Sequence, residues 1–348
     1  MKGSALWCCL SLLLKFQMIN TMEQTSLIAV PENRSYIEFE ETSTAKPFIE
    51  ANTEEFTFQE IRKDHTIPCF AKDNEPLISH CDFINATGEI VADIFQKEAI
   101  LKPNIRLSHP IKGRVPEAKD KAAKELLDHE KTLYYERMAF IIEIPSISDV
   151  IDGNKLSLTI GGVKSYHLDN PSGKKGSGET FKVFIGFKNL VCTNLCVWSD
   201  GYLADLKVKD LYQLKNAIYC LLQEYQVTNH LKKLKAFTNY HLTEQQFVQL
   251  VGRCKLYNFL PAHIKQNIPP LLFGDSQISS ICKDYYRDNS FCKQEDGSIN
   301  LWKLYNLFTG ANKSSYIDTF LDRSVNAFQF TEEIKNVLNH QHSSWFLK

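Results

Sequence analysis

The period of the apolar residues changes near Gly201, and that change limits the fold more than any single motif. Before it stand blocks of β-type composition: "LYYERMAFIIEI" (133–144), "KLSLTIGGVKSYHL" (155–168), "FKVFIGFKN" (181–189) and "LVCTNLCVW" (190–198). Turn cues separate them, "IDGN" at 151–154 and "NPSGKKGSGET" at 170–180, so antiparallel hairpins are expected. After Gly201, "DLYQLKNAIYCLLQEYQ", "GDSQISSICKDYYRDN", "INLWKLYNLFTGAN" and "IDTFLDRSVNAFQFTEEIKNVL" carry helical spacing. "TEQQFVQLVGRCKLYNFL" opens with Thr243 and Gln246 as a capping box. Segregated strands and helices define an α+β class. The expected division is a strand-rich core over 61–200 and a helical region over 201–348 packed on it.

Within the first half, "HTIPCFA" (65–71) reads as a short strand. "EPLISHCDFINATGEIVADIF" reads as a helix capped by Ser79 and Asp82, with Phe83, Ile84, Ile90, Val91, Ile94 and Phe95 on one stripe. Residues 104–118 read as extended, and a charged, Ala-rich helix is expected over about 117–130. Residues 22–60 are polar and acidic without a period, and read as a flexible arm. Residues 1–21 hold a short apolar run closed by Lys15. It is too short to span a bilayer and lacks a small-residue cleavage site. The expectation is an upstream extension with Met22 as the internal start; a signal peptide is the alternative.

The chain has 348 residues, 43% hydrophobic and 23% charged, with net charge -1. No global field draws it to nucleic acid or anionic lipid, so such binding needs a local patch. Ten cysteines occur, several singly in apolar runs, such as Cys69, Cys220 and Cys254. Reduced, buried thiols look like this, and a cytoplasmic location without membrane attachment is expected.

Cys192 and Cys196 in "VCTNLCVWSDG" are the most chemically loaded pair. In an unbroken strand they share a face with Asn194 but lie about 13 Å apart. Such thiols cannot share zinc or form a disulfide. In a helix they could meet, which leaves a metal or redox site as the alternative. Cys282 and Cys292 have no second pair at zinc-ribbon spacing, and no HExxH occurs. "NPSGKKGSG" and "GGVKS" fail the phosphate-loop pattern. No GxSxG occurs. Glu136 and Glu143 fall on opposite faces of one strand. No catalytic residue, metal site or cofactor is expected, and no recognised motif argues for an enzyme.

One basic segment stands out. "KPNIRLSHPIKGR" carries Lys102, Arg106, Lys112 and Arg114 beside His109 and no acid. Lys174, Lys175 and Lys182 lie on the strands or their hairpin tip, with aromatic residues interleaved. Basic groups tracking phosphates while rings stack on bases suit single-stranded nucleic acid. A solvated extended segment over an ordinary aromatic core is the alternative.

"IRLSHPIKGRVPEAKDKAAKELLDHEKTLYYERMAF", "LSLTIGGVKSYHLDN", "PPLLFGDSQ", "KDYYRDNSFC" and "LWKLYNLFTGANKSSYIDTFLDRSVNAF" resemble a domain-of-unknown-function family of gut bacteria, carried on mobile elements. The resemblance covers about 60–348. "FKVFIGFKNLVCTNL" and "LWKLYNLFT" are also distantly similar to the phage/plasmid-like protein family. No site residue comes with either resemblance. They imply a cytosolic accessory protein of mobile DNA. The expected function is non-enzymatic binding of single-stranded DNA; the alternative is an inhibitor or scaffold acting on a host or element-encoded protein.

Overall fold

The sheet is a meander in which consecutive long strands pair. The computed structural model describes residues 47–70, 77–169, 178–340 and 343–347, all within one compact unit. Strands β1 (Glu54–Phe56), β2 (Ile67–Pro68), β3 (Asn104–Arg114), β4 (Lys131–Ile151), β5 (Asn154–Ser165), β6 (Glu179–Asn189) and β7 (Leu195–Val208) form one antiparallel sheet. Its order is β1-β3-β4-β5-β6-β7, with β2 pairing β3 beside β1. A two-stranded ribbon joins β8 (His241–Leu242) to β9 (Ile299–Asn300). The expected α+β class and the segregation of strands and helices are both seen.

Helices α1 (Phe58–Asp64) and α2 (His80–Ile94) interrupt the strands. The rest follow the sheet: α3 (Leu211–Glu224), α4 (Val227–Ala236), α5 (Glu244–Tyr257), α6 (Ala262–Lys265), α7 (Asp275–Arg287), α8 (Leu301–Asn312) and α9 (Ile317–Leu338). The capping boxes at Ser79–Asp82 and Thr243–Gln246 both form. Each satisfies amide groups that the first helical turn leaves without partners.

Alternation along β4 sorts its side chains onto two faces. Met138, Phe140, Ile142 and Ile144 enter the main core, whereas Ala139 and Ile141 enter a second one. Helix α2 covers the first face. Phe83 lies edge-on to Phe140 and Phe181, at 5.0 and 4.9 Å. Gly162 makes that approach possible, since a Cβ there would stand 2.3 Å from the Phe83 ring. The second face is closed by Ile317, Phe320, Leu321 and Val325 of α9, with Phe48 and Ile49. Burying each such side chain stabilises the fold by about 1.5–3 kcal/mol.

Four sequence expectations change. The part of the expected arm from residue 47 onward is folded: Phe48 and Ile49 are buried, and β1 pairs with β3. The remainder of the arm and residues 1–21 lie outside the described residues. No α-helix forms over 117–130; short 3-10 turns occupy Pro116–Ala118 and Asp128–Glu130. Here the Lys121 backbone carbonyl accepts from Arg114 and its ammonium pairs with Glu130, so side-chain partners override helix propensity. The strand expected over 190–198 begins only at Leu195. Finally, β7 runs past Gly201 to Val208.

Candidate interaction surface

Among the described residues, the expected basic side chains do not converge on one open face. Arg106, Ala139, Val163 and Lys182 are successive register partners across four strands. Arg106 and Lys182 therefore share a face, three strand spacings or about 14 Å apart. Both are buried. Arg106 donates to the Thr53 carbonyl at 2.8 Å and the Thr53 hydroxyl at 2.9 Å, with Glu55 at 3.6 Å. Burial lowers its pKa, opposed by Glu55. Lys182 donates to the Asp322 carboxylate at 2.5 Å and to the Asp318 carbonyl at 2.7 Å. Arg114 is buried against the Lys121 carbonyl. Lys102 and Lys112 are exposed, and His109 is half-buried with φ 60 beside Ser108. Lys174 and Lys175 lie outside the described residues.

Cys192 is not part of a strand. Residues 190–194 form a turn in which the Asn189 side chain accepts from Val191 N–H at 3.0 Å and Thr193 takes φ 59. The turn is held on α8: Asn194 donates to the Asn306 carbonyl at 3.0 Å, and Asn189 to the Asn306 side chain at 3.1 Å. Cys196 points into the main core. Among the described residues no group of three or more His, Cys, Asp or Glu is placed to hold a metal ion.

A buried polar cluster sits at the start of α2, and only tertiary structure reveals it. Lys164 of β5 is 0% exposed. Its ammonium lies 2.7 Å from Asp169, 2.9 Å from Glu179 and 4.3 Å from the centre of the Phe181 ring. Glu179 accepts Ile78 N–H at 2.7 Å, just before the Ser79 cap. Burial raises the Glu179 pKa against the pull of Lys164. Beside it, the Tyr134 and Tyr166 hydroxyls lie 2.9 Å apart and His80 stacks on Tyr134 at 4.8 Å. His80 also hydrogen-bonds the Tyr135 carbonyl at 2.8 Å. The carboxylates engage the ammonium from within the fold, so the cluster ties α2 to the sheet.

Exposed apolar side chains occur on several elements, and three of them fall on one stripe of α5 and the turn after it. The inner side of α5 buries Phe247, Leu250, Cys254 and Tyr257, and Phe247 stacks on Tyr285 of α7 at 3.8 Å. Its outer side exposes Val248 (61%), Leu256 (57%) and, just beyond the helix, Phe259 (79%). Spacings of eight and eleven residues put these on one stripe with Gly252. Ile264 of α6 is also exposed. Arg253 lies over the Trp345 ring at 5.0 Å and Lys265 over Tyr257 at 5.1 Å. Lys255 lies 3.3 Å from Asp275 and 3.0 Å from Ser279. The helix itself is legible in the sequence; the exposure of its outer stripe among the described residues depends on what α7 leaves open.

Residues 32–347 match the family described as "Domain of unknown function, B. Theta Gene description (DUF3871)". The chain belongs to this family. The DUF3871 match begins before the first described residue and takes in both the sheet and the helical half. No curated protein matches the chain, and no solved structure does.

Proposed function

We propose that this DUF3871 protein is a non-enzymatic protein–protein interaction module, an inhibitor or scaffold, that engages its partner through α5 and the turn after it. The carrying observation is the stripe of Val248 and Leu256 on a well-packed helix and Phe259 in the turn after it, which projects apolar side chains into solvent. Apolar surface of this kind, rimmed by polar groups, is characteristic of interaction sites. The mobile-element setting belongs to the same proposal and rests on the sequence resemblance alone.

Single-stranded nucleic acid is the second reading. It keeps the exposed Lys102 and Lys112. Arg106 and Lys182 count against it, because their charged ends are engaged within the fold.

The test compares the full chain with the double variant Val248→Asp, Leu256→Asp. A captured protein is purified and its direct binding measured. The proposal expects stoichiometric binding to the parent and none to the variant at unchanged melting temperature. A folded variant that retains the parent's partner overturns it. Salt-dependent binding of labelled single-stranded DNA, abolished by Lys102→Ala with Lys112→Ala, supports the second reading instead.

A further inference from the structure

We infer that Gly252 is the crossing point for an acidic amphipathic helix of a partner protein. This rests on the reading of α5 as an interaction surface and specifies the occupant. A glycine inside a helix is less favourable than alanine because its unfolded backbone has more freedom to lose. Several other glycines have steric reasons within the fold, whereas Gly274, the N-cap of α7, and Gly310 within α8 have none. A Cβ on Gly161, Gly186 or Gly201 would stand 2.1–2.3 Å from a backbone oxygen. A Cβ on Gly252 would meet nothing within 4 Å, and its φ is not positive. Among the described residues nothing requires a glycine there.

Its neighbours on the stripe supply a reason outside the chain. Val248 and Leu256 stand one turn to either side, and both are exposed. Between them Gly252 leaves a dip. Helices pack by seating ridges in such grooves, and a small residue lets a second backbone come closer. Apolar residues at i, i+4 and i+7 of a partner helix would meet Val248, Leu256 and Phe259.

Charge selects the partner. Across residues 244–267, Glu244 is the one acid against Arg253, Lys255 and Lys265, and Lys255 is offset by Asp275 of α7 at 3.3 Å. Arg253 and Lys265 lie over aromatic rings, and among the described residues no carboxylate pairs with either. A second copy would set this basic rim against itself. An acidic flank on the partner complements it and speeds encounter.

The test uses two synthetic helices with identical leucines at i, i+4, i+7 and i+11, one flanked by Glu and one by Lys. Fluorescence anisotropy follows binding to the full chain. The Glu-flanked helix should bind at least about tenfold tighter, and added salt should narrow the gap. Gly252→Ala should raise the melting temperature by about a degree or two yet weaken the Glu-flanked helix about tenfold; Gly252→Leu should abolish binding. Equal binding by parent and Gly252→Ala, or by the two helices, overturns the inference. So does concentration-dependent self-association through this face, or binding to anionic vesicles without peptide binding. If neither helix binds but the Val248→Asp, Leu256→Asp variant loses a protein partner, this inference fails and the module reading stands. If that variant keeps its partner as well, both fail.

Discussion

The ammonium of Lys164 lies 2.9 Å from the carboxylate of Glu179 on the neighbouring strand, and the lysine side chain has no exposed surface. Removing one partner of a buried pair leaves the other charge in a poorly solvating interior. Lys164→Met strands both Asp169 and Glu179. It should lower unfolding stability by about 3–5 kcal/mol, and adding Glu179→Gln should recover part of the loss. Urea unfolding followed by circular dichroism measures both. A loss below about 1 kcal/mol, the scale of an exposed ion pair, would refute the buried-pair account.

Mild acid should destabilise the protein through two histidines. Burial holds both His80 and His230 at about 3, with Lys164 adding to the effect at His80 and Lys233 at His230. The Tyr135 carbonyl opposes it at His80. The unfolded chain takes up these protons near pH 6.5, before the folded one does. Stability present above 6.5 is therefore lost as pH falls from 6.5 toward 3. The slope is about 1.4 kcal/mol per pH unit for each histidine. His230→Phe should halve the change in urea midpoint between pH 7 and 5.5, whatever its effect at pH 7. An unaltered slope would show that His230 does not contribute.

Arg106 should behave as a structural staple. Its hydrogen bonds to Thr53 hold the segment carrying β1 against β3. Arg106→Ala should cost about 2–3 kcal/mol, in the range for bonds to charged groups, and should open residues 47–57 to protease. Lys112→Ala, at an exposed position, should stay within about 0.5 kcal/mol. Equal melting temperatures for the two variants would contradict the staple.

Thiol chemistry should separate the cysteines. Burial pushes Cys196 and Cys254 well above the ordinary thiol range and Cys192 up to about 11. A thiol must ionise to react. At pH 8 a disulfide reagent should leave Cys196 and Cys254 unmodified until denaturant is added, as mapped by mass spectrometry. Native-state labelling of Cys196 at the rate of a free cysteine would overturn the buried position.

Local signals survived the passage from sequence to structure, and distant partners were invisible to it. Ser79 with Asp82 and Thr243 with Gln246 announce their helices because cap and amide lie within one turn. The meander was legible because hairpin neighbours are adjacent in the chain. The fate of Arg106 and Lys182 was not, since Thr53 and Asp322 are 53 and 140 residues away. The same holds for Lys164, an ordinary member of an apolar run until β6 brings Glu179 beside it. The turn at Cys192 did leave a clue: Asn189 and Asn194 bracket it, and asparagine often closes turns through its side chain.

The second core cluster draws on both ends of the described chain: Phe48 and Ile49 at one end, Ile317 to Val325 at the other. During synthesis the whole meander emerges when β7 ends at Val208, yet α9 begins only at Ile317. At about 5–20 residues per second, the sheet waits roughly 5–20 s for its cover. Over that interval Ile141, Val163, Phe184 and Val197 lack their α9 partners. A nascent chain paused between these two points should therefore be the species most in need of a holding chaperone.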